Sequence, residues 1–246
     1  MNLQNRTILL TGGSSGIGLE LTGHLLQRGN TVIICGRSEE KLQKVKTAYP
    51  EVIIKACDLS LGSECTALIQ WVLEQFPELD VLINNAGYRN LIDLKGDGEY
   101  IERARHEIAT NFTAPVHLCS LVIPHFLRRG RGDIVNVSTG LVYIPKSAQS
   151  IYCAAKAALH SYTQSLRLQL RDTPIQVYEV MPPLVDTAFH SEGLPSEIKA
   201  MGVREATRAF LKGLSKGQPE ILIGKSRLAR LLSRFFPSLG LRILNP

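Results

Sequence analysis

Seven short runs dominated by apolar, often β-branched residues recur along the chain: TILLT from Thr7, TVIIC from Thr31, VIIKAC from Val52, LDVLIN from Leu79, GDIVNVS from Gly132, IQVYEVM from Ile175 and EILIG from Glu220. None keeps the apolar-polar alternation of a strand with one wet face. Near-continuous apolar runs of this length predict parallel strands buried on both sides. The longer stretches between them carry helical periodicity, as in LELTGHLLQRG after the first run and EEKLQKVKTAY after the second. Strand followed by helix, repeated, predicts right-handed βαβ units and a doubly wound α/β fold with helices on both faces of a mostly parallel, seven-stranded sheet. One long irregular stretch, Pro182 to Glu197, reads as a loop after the carboxyl end of the sixth strand, the edge at which such sheets bind ligands.

Composition narrows the class. The 246 residues, 44% of them hydrophobic, suffice for one continuous core, so the whole chain, 1–246, is expected to form a single domain. No run of about 18 apolar residues predicts a membrane span, and MNLQNR leads into a short strand without a signal peptide. A soluble, cytoplasmic protein is expected. The five cysteines, Cys35, Cys57, Cys65, Cys119 and Cys153, are scattered and odd in number, which predicts free thiols, no disulfide framework and no metal site. The net charge of +6 is uneven: from Lys199 onward ten Lys/Arg face only Glu205 and Glu220. A basic tail can suggest nucleic acid, but no aromatic-interleaved basic groove or nucleic-acid module is present, and no nucleic-acid partner is expected.

The first predicted strand runs into GGSSGIG and then into a helix, so Gly12, Gly16 and Gly18 stand where a strand turns into a helix N-terminus. Small residues there let the backbone approach a pyrophosphate, held by N–H groups and the helix dipole. A ligand-free glycine turn is the alternative. Folds that bind NAD place an acid at the end of the second strand to accept from the ribose 2′-OH. Here that strand ends in Gly36 and Arg37. A guanidinium suits a 2′-phosphate, so NADP(H) is favoured over NAD(H), against the alternative of a solvated arginine. Glu39 and Glu40 nearby fit equally well as first-turn acids of the next helix. CDLS after the third strand offers Asp58 for an adenine amino group or for a helix cap, and NNAG after the fourth offers Asn84 to Gly87 for the ligand or for a turn.

Tyr152 and Lys156, in SIYCAAKAALHS, fall on one helical face four residues apart. A phenol is a poor acid or base near neutrality, but a neighbouring cation favours the phenolate and lowers its pKa, so the pair can exchange a proton with a carbonyl or alcohol; taken alone, the same spacing is common in helices as a chance pair. Ser138 ends the fifth strand and could bring a hydroxyl to the same crevice; Asn111 in ATNFTAP is a fourth candidate.

TGGSSGIG, NNAG, Asn111, Ser138 and YCAAK in this order resemble the classical short-chain dehydrogenase/reductase family, over essentially the whole chain and closest to bacterial members of unassigned substrate. The resemblance implies a Rossmann-type, three-layer α/β/α fold and reversible hydride transfer between NADP(H) and a carbonyl or alcohol, most simply a ketone or aldehyde reductase. It implies that Tyr152 is the general acid or base, that Lys156 binds the nicotinamide ribose and lowers the tyrosine pKa, that Ser138 holds the substrate oxygen and that Asn111 fixes a water in a proton relay. By the same resemblance Gly12, Gly13, Ser14, Ser15, Gly16, Ile17 and Gly18, then Arg37, Asp58 with Leu59, and Asn85, Ala86 and Gly87 line the dinucleotide, while Val185 and Thr187 meet its carboxamide. The family's Pro-Gly after the sixth strand is Pro182-Pro183 here, a departure because proline fixes φ and lacks an N–H. The retained Asn, Ser, Tyr and Lys set speaks against the alternative of a non-catalytic dinucleotide sensor or a membrane-surface protein that kept the fold. Specificity is expected from the loop after Val185 and from Leu141, Tyr143, Phe189 and His190.

The family resemblance also implies a homodimer or homotetramer. Residues 225–246 continue past the glycine-rich end of many relatives as a basic amphipathic extension: on a helix Arg227, Arg230 and Arg234 group together and Leu228, Leu231, Leu232 and Phe235 take the other side. That apolar side is expected to pack on the domain or a neighbouring subunit, with peripheral contact to an anionic membrane as the alternative.

Overall fold

The computed structural model describes residues 1–93, 95–96, 100–187 and 200–245. Seven parallel strands form one sheet in the order β3-β2-β1-β4-β5-β6-β7. They are β1 (Thr7–Thr11), β2 (Thr31–Gly36), β3 (Ile53–Ala56), β4 (Leu79–Asn84), β5 (Gly132–Val137), β6 (Ile175–Met181) and β7 (Glu220–Leu222). Helices α1 (Gly16–Leu26), α2 (Glu39–Ala48), α3 (Gly62–Gln75), α4 (Tyr100–Ile108), α5 (Ala114–Arg129), α6 (Ser150–Gln169), α7 (Val203–Ser215), α8 (Ser226–Phe235) and α9 (Pro237–Leu244) complete the described elements, with a π-helical turn at Ala109–Thr113 between α4 and α5. This is the doubly wound, three-layer Rossmann-type arrangement.

The apolar runs are strands because both faces are covered. Along β1, Ile8 and Leu10 point into one core with Leu21 and Leu25 of α1 and Phe210 and Leu214 of α7. Leu9 points into the other, with Leu68 and Val72 of α3, Leu118, Val122 and Phe126 of α5 and Leu166 of α6. Each such side chain, fully buried, stabilises the fold by about 1.5–3 kcal/mol. The register Ile8↔Val32 and Ile8↔Val81 aligns β1 with both neighbours.

The amino edge of the sheet is tied by charge. Arg6, just before β1, donates to Asp80 of β4 (2.7 Å) and Asp133 of β5 (2.9 Å), and Arg131 reaches the other oxygen of Asp80 (2.7 Å). The carboxyl edge carries the turns and loops. Strand order reverses on either side of β1, so the crevice between the ends of β1 and β4 is the topological switch point, where ligands bind in open α/β sheets.

Candidate active site

The turn from β1 into α1 lies in that crevice. Gly12 has φ +68°, and a Cβ there would sit 2.9 Å from the Ala86 Cα. A Cβ on Gly18 would fall 2.1 Å from the Gly12 carbonyl oxygen. The turn is thus pressed flat against the segment after β4 and admits no side chain at either point. That segment holds it by hydrogen bonds: the Thr11 hydroxyl accepts from the N–H groups of Asn85 (3.0 Å) and Ala86 (2.9 Å), and Asn85 Nδ2 donates to the Thr11 carbonyl (3.0 Å). Gly13 packs on Ile34, and Ser14 lies beside Gly36 at the end of β2. Ser15 precedes α1 without capping it through its side chain, and no acid occupies the first turn. The N–H groups of Gly16, Ile17 and Gly18 therefore have no intrahelical acceptor, a donor set that fits a pyrophosphate. Thr187 comes across from the end of β6 to stand over Gly16, its Cγ2 3.1 Å from where a Cβ would be. Val185 is buried and pairs with Met201.

At the end of β2 the Arg37 guanidinium does not simply point into solvent. It lies within 2.9 Å of His106 Nε2 and over the Tyr88 ring, 5.3 Å from its centroid. Tyr88 and His106 meet edge to face. Asp58, after β3, accepts from the Ser60 N–H (2.9 Å) and hydroxyl (2.8 Å). Partial burial pushes its carboxyl up, but the two Ser60 bonds and the charges of Arg37 and His106 outweigh this and hold it below its usual value. Asp58 makes a local turn and is not the α3 cap, which is Leu61. Leu59 is buried beside it.

Asn111 lies in the π-helical turn, fully buried. Such turns re-aim side chains, often at functional sites. Its Nδ2 donates to the carbonyls of Tyr88 (2.5 Å) and Glu107 (2.9 Å), and its Oδ1 accepts from the Tyr88 N–H (3.1 Å). Tyr152 and Lys156 share the inner face of α6, both buried. Lys156 Nζ donates to the Val137 carbonyl at the end of β5 (2.8 Å). Burial pushes this lysine down to about 8, with Glu179 opposing. The expected lowering of the tyrosine is not what these protein groups produce. Burial pushes the phenol well above its ordinary value, Cys153 and Glu107 add to that, and among the described residues the Thr139 hydroxyl and the charge of Arg89 act the other way.

Of the two hydroxyls after β5, that of Thr139 is the one that acts on the Tyr152 phenol. Ser138, one residue earlier, is turned to β6 and gives its hydrogen to Glu179 Oε1. A serine has a single O–H to donate, and this one is spent on Glu179, which leaves the Ser138 oxygen able only to accept. The reason is local: the chain leaves the sheet at Val137, so the next two side chains take different directions, and Thr139 becomes the cap of the short helical turn Gly140–Val142, accepting from the Leu141 N–H (3.3 Å). Sequence reasoning also passed over Glu179, Tyr88 and His106. The available signal for Glu179 was an acid inside an apolar strand, rare unless the charge has a partner.

Pro182 keeps its carbonyl in use, accepting from the Gly140 N–H (3.1 Å), so the Pro-Pro departure preserves a bond between the ends of β5 and β6. Tyr143 packs edge to face on His160. Phe189 and His190 lie outside the described residues. Among the described residues, no group of three His, Cys, Asp or Glu could hold a metal, and no helix is long and apolar enough to cross a membrane.

The extension is two helices, split at Pro237. Arg230 pairs with Glu220 (3.2 Å), Arg227 donates to the Leu222 carbonyl (3.1 Å), Gly240 packs on Ile144, and Asn245 bonds the backbone of Pro145 and Ser147. Arg227 and Arg230 reach β7 from an exposed flank, Ser226, Ala229 and Leu232 lie inward, and Leu228, Leu231 and Phe235 are turned outward, more than half exposed. Of the apolar side only Leu232 is half-buried, beside Gly240; the pairing of Arg230 with Glu220 leaves the other three residues outward.

Comparison with known proteins agrees with this geometry. Residues 6–197 match the model of the short chain dehydrogenase family. The chain is 44% identical over 224 residues to the uncharacterized oxidoreductase DltE of Bacillus subtilis (strain 168), covering 90% of this chain and 89% of the relative. Among solved structures, a short chain dehydrogenase from Burkholderia cenocepacia J2315 in complex with NADP is 26% identical over the full length of both chains, with a TM-score of 0.86. A short chain dehydrogenase/reductase from Burkholderia phymatum in complex with NAD, 19% identical over 100% of this chain and 97% of that one, shows the same fold with a TM-score of 0.82. Sheet order, glycine turn and family match together place this chain in the short chain dehydrogenase family of oxidoreductases.

Proposed function

We propose that the protein is an NADP(H)-dependent reductase that interconverts a ketone or aldehyde and its alcohol, with Tyr152 as the proton carrier. The observation that carries this reading is the buried pair Tyr152 and Lys156 on one face of α6, with Lys156 Nζ on the Val137 carbonyl at the end of β5, at the sheet edge that also carries the glycine turn. Bound NADP(H) supplies the hydride; the protein supplies position and electrostatics. A phenol is protonated at neutral pH and can donate that proton to a carbonyl oxygen. Thr139, in place of Ser138, holds that oxygen against Tyr152. Lys156 meets the nicotinamide ribose, and Asn111 orders the path by which Tyr152 regains its proton. Gly12 to Gly18, Asp58, Leu59, Asn85 to Gly87, Val185 and Thr187 line the dinucleotide. Arg37 at the end of an acid-free β2 supports a 2′-phosphate, as does the NADP bound by the Burkholderia cenocepacia relative.

The test is consumption of NADPH and NADH against a panel of sugars, keto acids, steroids, retinal and quinones. Tyr152→Phe should abolish turnover and leave NADPH binding within about twofold of wild type. Substantial residual turnover would remove Tyr152 from the proton transfer.

The chain is read as one catalytic domain with residues 225–246 as an extension, and as a cytoplasmic homodimer or homotetramer. Five free, buried thiols fit a reducing compartment. The outward Leu228, Leu231 and Phe235 support a subunit contact, with an anionic membrane as the second reading because the Arg234 guanidinium stands over the Phe235 ring, 5.8 Å from its centroid, at the margin of that face. Light scattering of Leu231→Glu/Phe235→Glu, alongside liposome co-sedimentation, separates the two: a smaller particle supports the first, lost sedimentation the second.

A further inference from the structure

Behind the candidate site lies a buried acid that the reaction as outlined does not use. Glu179, on β6, is fully buried. Its Oε1 accepts the Ser138 hydroxyl and its Oε2 lies 2.8 Å from His160 Nδ1. His160 stands one turn after Lys156 on α6 and eight residues after Tyr152. Lys156 Nζ is held at the Val137 carbonyl, the residue directly before Ser138, so its charge lies against the same β5–β6 seam. We propose that Glu179 is a positioning residue of this site, a buried anion that, partnered by His160, supplies the counter-charge of Lys156 and fixes Ser138 away from the substrate oxygen.

The energetics require such a group. A buried ammonium without a counter-charge neutralises rather than pay its desolvation. Among the described residues, Lys156 Nζ bonds the Val137 carbonyl, and the charge that acts on it is Glu179, pulling upward against burial. The other charged or titratable groups around the acid come from every side. Tyr143 packs on His160, Arg167 lies further along α6, Glu220 pairs with Glu179 in the β6–β7 register, and Arg230 of α8 neutralises Glu220. Of these, His160 is held above its ordinary value, first by its hydrogen bond to Glu179. His160 is partly exposed and links the buried acid to solvent.

The inference rests on Lys156 serving the cofactor, and the experiment separates the two. NADPH binding is followed by fluorescence from pH 6 upward in about half-unit steps, for wild type, Glu179→Gln and Glu179→Asp. Lys156 is cationic below about 8 in the wild type. Removing the Glu179 charge lowers that value, so the alkaline loss of binding should move down by about one pH unit or more in Glu179→Gln and stay near the wild-type position in Glu179→Asp. An unmoved limb in folded Glu179→Gln overturns the proposal. Should that variant not fold, His160→Gln leaves the carboxylate in place and offers it an amide donor. Its alkaline limb should then coincide with wild type, and a downward move would assign the effect to His160 and overturn the role of Glu179. Absence of dinucleotide binding by wild type at every pH would instead refute the proposed function.

Discussion

Replacing Thr139 by valine tests the assignment of the substrate-facing hydroxyl. Valine keeps the shape and removes one O–H from Tyr152, together with the weak acceptor of the Leu141 N–H at 3.3 Å. If Thr139 steadies the oxygen on which charge changes, the loss resembles that of one oxyanion donor, about 2.7–4 kcal/mol or 10²–10³-fold in kcat. Ser138→Ala should behave in the opposite way. Its hydroxyl serves a buried carboxylate, so about 1.5–3 kcal/mol of stability is lost, while kcat falls less than about tenfold. In a chain of this size that is a fall in Tm of about 3–12 °C. The assay pairs steady-state NADPH oxidation, on whichever carbonyl the panel identifies, with thermal melts of both variants. A hundredfold loss in Ser138→Ala with near-native turnover in Thr139→Val would return the role to Ser138 and refute the reasoning.

Three further outcomes follow from the same geometry. Arg37→Ala should weaken NADPH binding more than NADH binding, by about tenfold in the ratio, read by fluorescence titration; equal losses would remove the phosphate contact. Gly18→Ala places a methyl 2.1 Å from a backbone carbonyl, which cannot yield without moving the turn, so Tm should fall and dinucleotide affinity drop more than tenfold; native affinity would show a turn looser than described. His160 has a raised folded-state pKa, so its stabilisation is whole below about 6.5 and fades as pH rises through the folded value. Melts across that window should show a decline in wild type that His160→Gln lacks, and parallel curves would count against the Glu179 pair.

The strands were legible because each had to be apolar on two faces, a pattern few helices of that length reproduce. Their ends lie within two residues of the apolar runs. The glycine turn was legible for a related reason, since backbone pressed on backbone leaves no chemical alternative at Gly12 and Gly18. The choice between Ser138 and Thr139 was not legible. Adjacent hydroxyls at a strand end have the same chemistry in sequence, and only the path of the chain after Val137 decides which one reaches Tyr152. The i,i+4 spacing correctly placed Tyr152 and Lys156 on one face, yet spacing carries no burial, and burial governs both pKa values. For the extension, the pattern gave two sides but not which would dock. That was settled by Glu220, a single acid on another strand.

The charge tie at the amino edge gives the sheet a fixed datum. Arg6 clasps β4 and β5 at the start of the strands whose far ends carry Asn85 and Thr139, with Asn85 about 16 Å away along the five residues from Asp80. Alignment of the three strands is therefore set by groups that touch no ligand. Loops at the carboxyl edge can exchange residues, and with them substrates, without loosening the frame that aims them. Conversely, a change at Asp80 should blur every distance in the site at once while altering none of its chemistry. The chain separates the part that keeps measure from the part that is free to change trade.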